Sequence, residues 1–254
     1  MSLNITQRVG RHLGGEDWRE WPVQSDRIQW GVAEAALVFF GAQSLQVLWF
    51  GGAASLLWGG DIPETAERGA WTIWVLSFGL WVGYFLGPIL MNRVTGSGPM
   101  VDFHLSISAR GVAIAAAIGA AVQLLVLPAL YFPLLRLVDS DPGEAARELA
   151  ATVDTPLEIF FFFGAAIVLA PIVEEWFYRG MLLPALARRF NPTVGILGSS
   201  VVFTLVHIRP ILFPGIFALA IVLAVMTMKT RRLAPAIITH MAFNAVTAIS
   251  LVYF

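Results

Sequence analysis

Read from its amino terminus, the chain alternates long apolar runs with short polar breaks. Apolar residues dominate about 29–58, 70–91, 110–137, 157–188, 193–208, 212–229 and 233–253. The breaks carry turn and charge signals: WGGDIPETAERG, NRVTGSGPMVDFHLSISAR, DSDPGEAARELAATVDTP, RRFNP, HIRPILFPG and KTRRLAP. Several runs reach roughly 18 residues, the length a helix needs to cross a bilayer. The pattern predicts an all-α fold, a polytopic transmembrane bundle of about seven spans, with eight as the upper count. The two short runs after Asn191 are the least regular. Residues 1–28 read as a polar N-terminal tail and residues 29–254 as one membrane domain, without repeats. The tail has no apolar core of the signal-peptide kind, so no cleavable leader is expected.

Composition agrees with a membrane setting. Charged residues make up 13% of the chain, against about a quarter in soluble domains, and the mean hydropathy is +0.75. A net charge of −1 implies no nucleic-acid partner. The absence of cysteine excludes disulfides, thiol catalysis and thiolate metal sites. Arginine far outnumbers lysine, with Lys229 alone, which points to a GC-rich, prokaryotic genome and a cell-membrane location.

Basic residues set the expected orientation, because Lys and Arg collect on the cytoplasmic side. Arg8, Arg11, Arg19 and Arg27 lie in the tail, Arg93 and Arg110 in the second connection, Arg188 and Arg189 in the fourth, and Lys229, Arg231 and Arg232 in the sixth. The alternate connections hold Arg68, Arg136, Arg147 and Arg209. They are rich in acid: Asp61, Glu64, Glu67, Asp139, Asp141, Glu144, Glu148 and Asp154. The expected topology has the N-terminus in the cytoplasm and the C-terminus outside.

Against this background APIVEEWFYRG, residues 170–180, is anomalous. It places Glu174, Glu175 and Arg179 inside an apolar run. Ionisable groups at membrane depth are costly, face the bundle interior and mark function. Glu175 and Arg179 are four apart, acid first, and so share a helix face as a pair; Glu174 is turned about 100° away without that partner. Further polar residues lie in FTLVH, with Phe203 and His207, and in HMAFN, with His240 and Asn244. Glu174 lies 17 residues before Asn191 and His207 lies 16 after it. A tight turn at RRFNP therefore brings both to one level, roughly 25 Å from the turn. His240 reaches that level if this hairpin projects about 10 Å beyond the membrane. Arg209 then falls within the bilayer zone, where no partner is evident.

Two chemistries want such a set. A carboxylate in a low-dielectric pocket acts as general base on water, with an imidazole holding that water and a His–Asn pair donating to an oxyanion. Alternatively Glu174, His207 and His240 form a zinc ligand set with an open position. Either route hydrolyses an amide.

The ordered motifs EEWFYR, FTLVH and HMAFN, together with TRRLAPAIITH before the last, resemble the CPBP intramembrane proteases, also called the Abi or CAAX-protease family. The resemblance covers about residues 155–250; the first three runs match only as generic spans. It implies that Glu174, helped by His207, activates water and that His240 and Asn244 stabilise the oxyanion. Glu175, Arg179 and Phe203 then support the site. The family is described both as glutamate-dependent and as metalloprotease, so zinc is an open cofactor expectation. The implied substrate is a peptide or membrane-protein tail, met in the bilayer at a site opening toward the cytoplasm. Two other readings are a non-catalytic scaffold or bacteriocin-immunity factor and an ion- or proton-coupled transporter. Glu34, Gln43 and Gln46 read as cavity lining or as interhelical pairs, and the tryptophans, among them Trp21, Trp58, Trp71 and Trp81, as an interfacial belt.

Overall fold

The computed structural model describes residues 30–62, 69–95, 105–137, 141–151 and 153–253. The tail at 1–28 lies outside these residues, as do Glu64, Glu67, Arg68 and Asp139. The described residues form helices joined by short connections: α1 (Val32–Trp58), α2 (Thr72–Thr95), α3 (Ala109–Leu134), α4 (Glu144–Ala150), α5 (Pro156–Arg189), α6 (Pro192–Leu205), α7 (Phe213–Thr230) and α8 (Ala234–Tyr253). Each apolar run yields one helix. α4 is an addition within the DSDPGEAARELA connection, where Asp141 pairs with Arg147.

Six of these helices are long and apolar enough to cross a bilayer. α6 is shorter, at 14 residues. That is about 21 Å, less than the roughly 30 Å hydrocarbon core. The expected span over 193–208 stops early because the chain leaves the helix at Val206. Ile208 adopts φ 60, left-handed backbone that a β-branched residue enters only under constraint. Pro210 then opens a single 3-10 turn.

α1 packs along α2, α3 along α8, α6 along both α7 and the end of α5, and α2 along the middle of α5. Close approach needs small residues. A Cβ on Gly119 would stand 2.2 Å from the Thr239 carbonyl, so only glycine lets α3 and α8 touch there. Gln46 spans α1 and α2, donating to Leu76 O at 2.8 Å and accepting from Leu80 N at 2.8 Å. It is an interhelical pair. Glu34 caps its own helix by accepting from Gly31 N at 2.7 Å.

Two contacts gather basic connections at one end of the bundle. Arg188 donates to Trp30 O at 2.9 Å, and Arg232 to Ser106 O at 3.3 Å. At the opposite end Tyr131 of α3 donates to Ile211 O at 2.8 Å. Arg209 therefore lies exposed in the loop at the opposite end from Arg188 and Arg232. It is not buried among helices, which resolves its placement.

Candidate active site

α5 is not a uniform helix. It widens to the i→i+5 pattern at Gly164–Leu169 and again at Tyr178–Leu182. α3 does the same at Val122–Val126. In each case a proline follows two residues later, at Pro171, Pro184 and Pro128. Proline has no N–H, and its ring clashes with the carbonyl four residues back. An extra residue in the preceding turn relieves that clash, and such bulges recur at functional sites. Glu174 and Glu175 lie on the regular segment Ala170–Phe177, between two of them.

The first bulge also fixes Asn244. Ala170 N–H bonds Ala165 O, so the next carbonyl, Ala166, faces Pro171, which has no hydrogen to give. Asn244 of α8 supplies it, with Nδ2 2.7 Å from Ala166 O. Asn244 thus locks α8 to the turn that precedes the glutamates, and one amide hydrogen remains for other use.

Glu175 and Arg179 form the expected intrahelical pair at 3.0 Å, with both side chains fully buried. Arg179 also donates to Ala220 O of α7 at 3.1 Å and lies 4.5 Å from the Phe203 ring centroid. The same Glu175 Oε1 meets His240 Nδ1 at 2.9 Å. One carboxylate therefore ties α5 to α8 directly and, through arginine, to α6 and α7. Its contact with His240 was not legible in the sequence, because no spacing rule links positions 65 residues apart.

That contact sets the imidazole chemistry. A carboxylate paired with arginine accepts only, so His240 Nδ1 is the protonated nitrogen and neutral His240 presents a lone pair at Nε2. Nε2 faces Glu174 Oε2 at 3.9 Å. That is too long for a direct hydrogen bond and suits a water between them. Glu174 keeps 22% of its side chain exposed, which leaves it open to such a water, while His240 keeps 5%. The rotation that separates the glutamates by sequence separates them in environment.

His207 arrives from the broken end of α6. Its backbone N–H bonds Thr204 O, so the Phe203 carbonyl is left at the helix terminus. His207 Nδ1 takes that carbonyl at 2.8 Å. This again fixes the tautomer with Nε2 open. The His207 and His240 rings both pack on Phe203, with centroids 5.0 and 5.9 Å away. Among the described residues no ion pair within 4 Å joins His207 to Glu174 or Glu175. The structure brings Glu174, Glu175, Arg179, Phe203 and His240 into one cluster and attaches His207 to it through Phe203.

Residues 156–246 match the family model of the Rce1-like type II CAAX prenyl endopeptidases. This segment is similar to a CAAX-protease domain. No curated protein and no solved structure matches the chain. The Rce1-like domain begins with the first residue of α5 and ends inside α8, so every side chain of the cluster belongs to it.

The Rce1-like domain has a neighbour that sequence reading missed. Tyr178 and Tyr84 join hydroxyl to hydroxyl at 2.8 Å in a buried contact between α5 and α2. The Tyr84 ring stacks on Phe177 at 4.6 Å. A signal existed: Tyr178 lies four residues after Glu174 and shares its helix face, and a tyrosine in an apolar span needs a partner for its hydroxyl.

The domain also lets the zinc expectation be tested on its donors. Two imidazole Nε2 lone pairs and a carboxylate are suitable ligand types. Among the described residues, however, no three His, Cys, Asp or Glu side chains lie close enough to share an ion. The arrangement does not fit the ion as it stands.

Proposed function

We propose that this protein is an intramembrane endopeptidase that hydrolyses a peptide bond in a membrane-associated peptide or protein tail. The observation that carries the reading is the opposition of Glu174 Oε2 and His240 Nε2 at 3.9 Å, with His240 held from behind by the Glu175–Arg179 pair. The match of this segment to a CAAX-protease family supports it.

In the proposed step Glu174 takes a proton from the water between it and His240, and the hydroxide oxygen attacks the scissile carbonyl carbon. His207 Nε2 accepts the second hydrogen of that water and holds it in line. The proton passes from Glu174 to His240 Nε2. Only then has His240 a hydrogen to offer, which it donates to the oxyanion beside the remaining Asn244 amide hydrogen. The same proton leaves with the amine as the tetrahedral carbon collapses, so base and acid are regenerated. A buried Glu175 and Arg179 keep the imidazole from turning during this exchange.

We also propose that the end of the bundle bearing Arg188, Arg189, Lys229, Arg231 and Arg232 faces the cytoplasm and that the site opens toward that side. The levels agree with this. Glu175 lies 14 residues before Arg189 and His240 six after Ala234, roughly 21 and 9 Å along their helices. Their contact means that α5 projects about 12 Å further toward the basic end than α8 begins.

The deciding experiment compares peptide termini in membranes from cells carrying wild type or Glu174→Gln at matched expression. New termini with wild type alone are expected, reduced by at least about 10²-fold in the variant, as for a lost general base. Identical termini across growth conditions would transfer the reading to a scaffold or immunity factor.

A further inference from the structure

A second concavity lies away from the glutamates. It has a volume of about 650 Å³ and runs between α3, α7 and α8, within the range of about 300–1,000 Å³ typical of small-molecule sites. Its walls are apolar: Ile114, Ile118, Ile221, Val222 and Val225. At one end the lining becomes polar, with Lys229 and Thr230. The site chemistry does not use it. Thr239, on α8, donates to Ala115 O at 2.9 Å and contacts Met226 Sδ at 3.2 Å, both residues of the groove wall. The next residue, His240, is turned about 100° toward Glu175. The α8 backbone therefore stands between the groove and the cluster.

Charge identifies the occupant. Lys229 is exposed and has no hydrogen-bond or ion-pair partner among the described residues. Arg110, Arg231 and Arg232 lie at the same end, beside the lining residues Gly111 and Thr230. Residues 105–137 and 213–253, which carry the three helices, contain no aspartate or glutamate. An apolar slot in a bilayer-spanning bundle, closed at one end by the ammonium of Lys229, matches one molecule abundant in that medium: an acyl chain below an anionic headgroup.

We infer that this groove binds one anionic phospholipid, its acyl chain between α3, α7 and α8 and its phosphate at Lys229. A neutral lipid offers the same chain without the charge. A soluble phosphate offers the charge without the chain.

The test titrates the purified full-length protein in detergent with phosphatidylglycerol, phosphatidylcholine or inorganic phosphate and counts bound lipid by native mass spectrometry. One retained phosphatidylglycerol is expected, preferred over phosphatidylcholine, with no retention of phosphate. Lys229→Gln lowers that preference about fivefold, the effect of one interfacial lysine, and Lys229→Arg restores it. Val225→Trp, which fills the slot, removes the bound lipid. Equal retention of both lipids, an unchanged preference in Lys229→Gln, or unaltered binding in a folded Val225→Trp protein each overturns the proposal. Should Val225→Trp fail to fold, the Gln and Arg variants at Lys229 decide alone. None of these variants touches the glutamate cluster, so their lipid readout is independent of whether the protein proves to be a protease.

Discussion

Glu174 and Glu175 differ by one position and by about 100° on the helix, and that rotation gives them different surroundings. Glu175 is sealed in the core, where one oxygen meets both Arg179 and His240. Glu174 reaches a partly open space in front of the same imidazole. Removing the guanidinium leaves a carboxylate charge buried without its counter-ion, a loss of about 3–5 kcal/mol in known cases. Arg179→Ala is therefore expected to lose folded yield and to unfold at markedly lower temperature in detergent. A well-folded, equally stable but inactive Arg179→Ala protein would instead make arginine part of the chemistry. Zinc is also decided among side chains. Elemental analysis of purified wild type is expected to find no stoichiometric metal; one zinc per chain, lost in His207→Ala, would show that the two histidines close around an ion in another conformation.

At the scale of elements proline shapes the site. Pro171 forces the bulge at 164–169 and leaves Ala166 O without a backbone donor, and Asn244 answers it. Asn244→Ala strands a part-buried carbonyl, which costs at most the ~1–3 kcal/mol of a fully buried one. Adding Pro171→Ala returns an N–H to the helix. The stability loss in the double variant should then be smaller than the sum of the two single losses, as a double-mutant cycle by thermal or denaturant unfolding would show. Additive losses would mean that Asn244 does not serve the proline-made orphan. Activity provides the complementary readout. If Asn244 also donates to the oxyanion, the double variant stays inactive after its stability recovers.

For the whole molecule, the bundle collects its basic connections at one end and places Arg209 at the other. A chain without cysteine makes that arrangement easy to map with single introduced thiols. In intact cells, membrane-impermeant maleimide is expected to label Arg209→Cys and to spare Arg189→Cys and Arg232→Cys until the membrane is opened. The reverse pattern would invert the proposed topology. The short α6 does not disturb this alternation, since α5 meets it at the basic turn 189–191 and α7 starts from the connection at 206–212 and ends at the basic residues 229–232.

The one-dimensional pattern determined a good deal. Apolar run length dictates membrane helices, because backbone polar groups in hydrocarbon must pair within their own segment. Each predicted run became a helix. Four-residue spacing also revealed the Glu175–Arg179 pair, because helix geometry is local. The order of three polar motifs in apolar runs located the domain that carries the cluster. Tertiary structure decided what local rules cannot reach. It gave Glu175 a second partner on α8, turned Asn244 toward a carbonyl orphaned by a proline 73 residues earlier, and packed both histidines on Phe203 without joining His207 to Glu174. It ended α6 at Leu205 and brought Tyr84 to Tyr178. These outcomes depend on which helices become neighbours and at what relative height. Both are set by the packing of whole faces, which no spacing along a single segment encodes.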